Sequence, residues 1–166
     1  MLSKEDYKAR LLEISTLKGT VSLDKDPVAV GLASFNEKLA LIQAVRERAT
    51  SLFTEAIWNR AEAQSALDAA DFDYSCKFNT YLGSDPEVQK LKSKEQREAY
   101  INVKLLTELT ALQAAKKQHL FADSYLKNVQ AIDSELDNKN DNLVHQINTV
   151  KAMMSIDPSM RKEFGR

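Results

Sequence analysis

The chain has 166 residues, 43% of them hydrophobic and 28% charged, with a formal net charge of −1. That length suits one domain of ordinary size, and the aliphatic content exceeds that of disordered chains. The near-zero charge excludes a global field drawing the protein to nucleic acid or an anionic membrane, so any such binding needs a local patch.

Only four Gly and three Pro stand among many Ala, Leu, Lys, Glu and Gln, a composition that favours helix throughout. Cys76 is the single cysteine, so no intrachain disulfide is possible and a reducing setting is expected. The first residues, MLSKEDYKAR, are charged at once, unlike a secretory signal. No apolar run approaches the roughly 18 residues of a membrane span. The expectation is a cytoplasmic protein, in the host cytoplasm if it is phage-encoded, with no membrane partner.

Residues 1–31 read as a short N-terminal helix followed by an arm. Tyr7, Leu11, Leu12, Ile14 and Leu17 give the helix an apolar face, and Gly19 is expected to end it. Residues 19–31, with two Gly, Pro27 and β-branched side chains, read as a linker.

Residues 32–154 carry the main signal. Phe35, Leu39, Ile42, Ala49, Phe53, Ala56, Ala63, Leu67, Ala70, Tyr74 and Tyr81 follow alternating steps of four and three, the pattern of a coiled-coil seam. The same register places Arg46, Arg60 and Lys77 on the stripe. Leu41, Val45 and Leu52 widen the face, so this helix needs more than one neighbour. Trp58 falls off the seam and marks a second packing surface.

Gly83 and Pro86 are the only Gly or Pro between Gly31 and Pro158. Gly83 is expected to adopt the left-handed conformation that closes a helix. Asp85 is placed to cap the next helix, with Pro86 in its first turn. A connection of residues 83–85 makes the flanking helices antiparallel. The second helix is expected to run unbroken from Pro86 to about Met154, with a phase slip near 114–122. Its later seam is Leu126, Val129, Leu136, Asn140, Leu143, Ile147, Val150 and Met154. Asn140 there sets register or partner number. Residues 155–166 form a basic tail with Arg161, Lys162 and Arg166.

The predicted fold is therefore all-α: a long antiparallel, coiled-coil-like helical hairpin with a short N-terminal helix. Such a hairpin leaves apolar stripe uncovered, so a homo-oligomer is expected, with the seam from Leu126 to Met154 as its oligomerisation surface.

Little in the sequence supports catalysis. His119 and His145 share no helical turn, and neither has metal-ligand spacing to Cys, Asp or Glu. Cys76 lies among rings and reads as a partly buried, inert thiol. There is no Gly-rich phosphate loop or nucleophile elbow. No enzyme activity, metal or cofactor is expected. The acidic, Asn-rich stretch Asp133 to Asp141 reads as an outward face.

The turn gathers rings and cations. Tyr74, Phe78 and Tyr81 precede it, and Lys90, Lys92, Lys94 and Arg97 follow it, with Lys90, Lys94 and Arg97 on one face of the expected helix. Cations neutralise phosphates and rings stack on unpaired bases. The opposing reading makes the tyrosines core and the lysines solvated.

The run from LDAADFDYSCKFNTYLGSD through KSKEQREAYINVKLLTELTALQAAKKQHLFADSYLKNVQAIDSEL resembles phage recombination mediators of the UvsY type. The resemblance lies in a helix ending Asp73-Tyr74-Ser75, a polar break, a helix start at Lys92-Ser93-Lys94, and a long helix with Phe121 and Tyr125 midway. It spans roughly residues 35–154. It implies a helical oligomer that binds single-stranded DNA and helps load a RecA-like recombinase against the single-strand binding protein. Where such proteins tend to carry basic residues before the tyrosine, this chain has Asp68 and Ala70. That leaves Lys77, Lys90, Lys92, Lys94 and Arg97 for phosphate, and Tyr81 or Tyr100 for stacking.

The leading expectation is thus a non-enzymatic, oligomeric mediator that binds single-stranded DNA. The alternative is a coiled-coil scaffold or adaptor, or a phage-type inhibitor, that binds a partner protein without nucleic acid.

Overall fold

The computed structural model describes residues 2–22 and 32–156. The expected linker at 19–31 lies outside them from residue 23 on, and the expected basic tail at 155–166 from residue 157 on. Regular structure among the described residues is all helix: α1 (Lys4–Thr20), α2 (Leu32–Ser84), α3 (Pro86–Lys90), α4 (Lys94–Lys104) and α5 (Leu106–Ile156). None of these helices is long and apolar enough to cross a membrane.

The chain divides into two compact units, one of Met1–Leu2 and Ile57–Ser124, the other of Ser3–Ala56 and Tyr125–Arg166. In the second unit α1 starts at a capping box. Ser3 accepts from the Asp6 amide, and the Asp6 carboxylate accepts from the Ser3 amide. Tyr7 and Ile14, seven apart, are buried, as is Val21 beyond the helix. Phe35, Ile42, Val45, Ala49, Leu52 and Ala56 bury one face of α2.

Leu126, Val129, Leu136, Leu143 and Val150, assigned above to oligomerisation, are buried within the single chain, while Asn140, Ile147 and Met154 are half-buried. Tyr7 meets the edge of Tyr125 at 5.8 Å between centroids, a favourable ring geometry. Lys139 donates to the carbonyl of Lys18 at 2.7 Å, placing a cation at the negative end of α1. The Asp133–Asp141 stretch is not wholly outward: Asp137 takes the Arg46 guanidinium, and Glu135 takes Lys139.

In the first unit the chain reverses after Ser84. Asp85 is extended, accepts from the Glu87 amide at 2.8 Å, and Pro86 follows at the first helical position. Lys77 on α2 reaches Glu108 on α5, and Arg60 reaches Asp123.

Three expectations are corrected. Gly83 does not close its helix in a left-handed conformation, since no described glycine has positive φ. The Asp85 amide still bonds to the Tyr81 carbonyl, and the Gln89 side chain caps the Gly83 carbonyl at 3.0 Å. The helix runs on through Ser84 and ends only where Asp85 turns extended to cap the next helix, so Gly83 is not its terminal residue. Gly19 likewise lies inside α1, which runs on to Thr20.

The helix from Pro86 onward is also not continuous. The Leu91 amide closes α3 on the Val88 carbonyl, and Ser93 opens α4 by accepting from the Gln96 amide at 3.1 Å. Leu105 then distorts the ladder (φ −101, ψ 29) while keeping its bonds to Ile101 and Leu109.

Candidate functional site at the chain reversal

The rings at the reversal have a structural use. Val88 from α3, Ile101 from α4 and Leu105 form a buried apolar cluster, and Tyr74, Phe78, Tyr81 and Tyr100 pack against it partly buried. Tyr74 donates its hydroxyl to Asn102 Oδ1 at 2.5 Å and tilts against Phe78 at 5.8 Å. Rings in these positions cover the end of the apolar seam. Lys104 Nζ lies 5.5 Å from the Tyr100 ring centroid, within cation–π range.

Tyr81 and Tyr100, the candidate base-stacking residues, are therefore both half-buried against protein. Cys76, expected among these rings, is exposed. Two residues along a helix turn a side chain about 200°, so Cys76 points away from the face that Tyr74 and Phe78 share.

The candidate cations are distributed differently from the expectation. Lys90 ends α3 and Lys94 begins α4, so the unwound residues 91–93 remove the single helical face that was to carry Lys90, Lys94 and Arg97. Lys77 bonds Asp73 at 3.0 Å and Glu108 at 2.8 Å, and both carboxylates hold its pKa above the ordinary lysine value. Glu87 accepts from Lys90 at 2.6 Å and raises its pKa in the same way. Lys94 faces Glu98 at 3.7 Å. Arg97 donates through Nε to the Leu91 carbonyl at 2.8 Å, satisfying the end of α3. Lys92 is exposed and has no acidic partner among the described residues.

Exposed pairs of this kind are weak and break readily, so pairing alone does not bar phosphate. The local charge is more telling. Residues 85–98 hold four cations, Lys90, Lys92, Lys94 and Arg97, and four carboxylates, Asp85, Glu87, Glu95 and Glu98. The segment is neutral as a whole. Its field at a strand one Debye length away is that of scattered dipoles, not of a positive groove.

The three cations that the register placed on the seam are each met by a distant carboxylate. Arg46 bonds Asp137, Arg60 bonds Asp123 at 3.1 Å, and Lys77 bonds Glu108, each at a position the heptad spacing reserves for an apolar side chain. Ser93 was missed as a cap, although Gln96 three residues later is a capping-box signature.

Large apolar side chains are exposed elsewhere. On α2 these include Trp58 and Phe72; on the opposing arm of the same unit they include Val103, Leu106 and Leu120. A notch of about 370 Å³ lined by Ala66, Ala114, Ala115 and Gln118 offers no titratable group. Among the described residues no group of three or more His, Cys, Asp or Glu side chains is placed to hold a metal ion. Comparison with protein-family models, curated proteins and solved structures gives no match for this chain.

Proposed function

We propose that the chain is a non-enzymatic helical scaffold or adaptor, whose antiparallel helical arms bind other protein helices through apolar outward faces. The observation that carries this reading is the exposure of Trp58 and Phe72, 72% and 75% respectively, on the side of α2 away from its buried seam. Burying a ring of this size releases one to a few kcal/mol from water contact. Soluble monomers seldom leave such groups aligned on one face without a use. The neutral charge of residues 85–98 and the packing of Tyr74, Phe78, Tyr81 and Tyr100 against Val88 and Ile101 support the same reading.

A second reading, the single-strand DNA mediator that assists a RecA-like recombinase, keeps one supporting observation. Lys92, just before α4, and Lys94, its first residue, are both exposed, Lys94 to 84%. Two such cations give a small counterion release and a shallow salt slope.

Fluorescence anisotropy with a labelled oligo-dT strand at two salt concentrations separates the readings. The scaffold reading expects no saturable binding. Tight binding that weakens steeply with salt, and that is lost when Lys90, Lys92, Lys94 and Arg97 are changed together to Ala, overturns it in favour of the mediator.

A further inference from the structure

Trp58 and Phe72 lie two heptads apart on α2. Between them Ala61, Ser65 and Ala69 occupy the same face, at steps of three, four, four and three, and all five are exposed. The order of sizes is ring, small, small, small, ring. It reads the same from either end, with Ser65 at its centre.

A face that is its own reverse is what a two-fold contact requires, because each copy must present one patch to itself turned end for end. We propose that the protein pairs with a second copy of itself through this face, as an antiparallel helix pair with its two-fold axis at Ser65. The proposal rests on the scaffold reading above and names the partner of that face. Trp58 then meets the partner's Phe72 at both ends. Ala61 meets the partner's Ala69, and the small side chains let the backbones approach closely.

The edges add no charged pairing of their own: Arg60 lies with the buried seam and gives its Nε to Asp123 at 3.1 Å, and Gln64 donates to Asp68 of its own helix at 2.7 Å. On the opposite edge the acids Glu62 and Asp73 miss direct opposition by about 7 Å along the axis.

The area is adequate for a reversible dimer. Rings of this class bury roughly 150–250 Å² each when covered. Four of them supply on the order of half of the ~1,000 Å² that a specific interface needs, and the small residues and edges supply the remainder. A partner of unrelated sequence gives no reason for the size order to be symmetric about Ser65.

Trp58 is the only tryptophan, so its emission reports the contact directly. On dilution from hundreds of micromolar to below one micromolar, emission is expected to shift to the red as sedimentation falls from dimer to monomer. Ser65→Glu is expected to leave the protein helical and monomeric at all concentrations. In a Cys76→Ser background, oxidised Ser65→Cys is expected to form a disulfide-linked dimer in high yield. Wild-type Cys76 lies roughly 30 Å from its symmetry mate and is expected not to link.

Concentration-independent emission and sedimentation overturn the proposal, as does linkage at Cys76 with none at position 65. If the protein is monomeric while the oligo-dT titration stays negative, only the self-pairing fails. If oligo-dT binds with a steep salt slope, the scaffold reading fails whether or not position 65 links.

Discussion

The Arg10 guanidinium donates through Nε and one Nη to the two carboxylate oxygens of Glu55, both at 2.9 Å. This two-pronged bond fastens α1 to α2 within the second unit. It extends through Glu13, which accepts from Arg10 at 3.1 Å and from Arg48 at 2.6 Å. Tyr125 adds its hydroxyl to Glu55 at 3.3 Å, and burial pushes its pKa well up, keeping the phenol neutral. Paired, forked guanidinium–carboxylate contacts are among the stronger polar bonds. Here both partners remain about a third exposed, which weakens the gain. Arg10→Ala is expected to cost about 1–2 kcal/mol, and a double-mutant cycle with Glu55→Ala should return a coupling of about 1 kcal/mol. Urea unfolding measures both, and a coupling near zero would mean the pair is only a surface contact.

Gly83→Ala should stabilise the protein. Gly83 lies inside α2 without positive φ, and a Cβ there meets nothing within 4 Å. Replacing a helical glycine with alanine restricts the unfolded chain and gains roughly 0.5–1 kcal/mol. Thermal melting should show the rise. A fall would show that the residue needs the conformational freedom of a helix-ending glycine after all.

Asp85→Ala should cost about 1 kcal/mol by removing the acceptor for the Glu87 amide at the head of α3. Ser93→Ala, which removes the acceptor for the Gln96 amide, should cost a similar amount. If the two segments instead merge into one longer helix in the Ser93 variant, circular dichroism will show a gain in helix and the loss will be smaller.

Acid should loosen α1. The Arg48 and Arg10 bonds hold the Glu13 pKa below its ordinary value of 4.5. A depressed carboxylate contributes stability that is fully present above the unfolded pKa and is lost as pH falls through the folded one. Stability should therefore be flat from neutral pH to about 5 and decline below 4.5. Glu13→Gln should flatten part of that decline, and an identical acid limb in this variant would remove Glu13 from the account.

Much of the helical content could be read from the chain. The steps of four and three from Phe35 to Ala70 predicted a buried face, and Phe35, Ile42, Ala49, Ala56 and Ala63 are all buried. Asp85-Pro86 announced the head of a new helix, and it is there, because capping and proline geometry act over two or three residues. Gly83 misled because the helix runs one residue past it and ends where Asp85 turns extended to cap the next helix. The interruption at residues 91–93 had a local cue in Ser93 and Gln96, but a run of lysines with good helix propensity obscured it.

The rings and cations show the remaining difference. Their clustering near residue 83 was plain in the sequence, but not whether Tyr81 would face solvent or the Val88–Ile101 cluster. By itself the sequence determined an all-helical chain with one apolar seam and a helix start at Asp85-Pro86, because helix periodicity, capping and proline geometry are local. The tertiary structure alone decided that Arg46, Arg60 and Lys77 find Asp137, Asp123 and Glu108, partners 91, 63 and 31 residues away. It alone decided, too, that the seam from Leu126 to Val150 is buried largely within its own chain. Partners so distant lie outside any local window, and only packing of the whole chain brings them together.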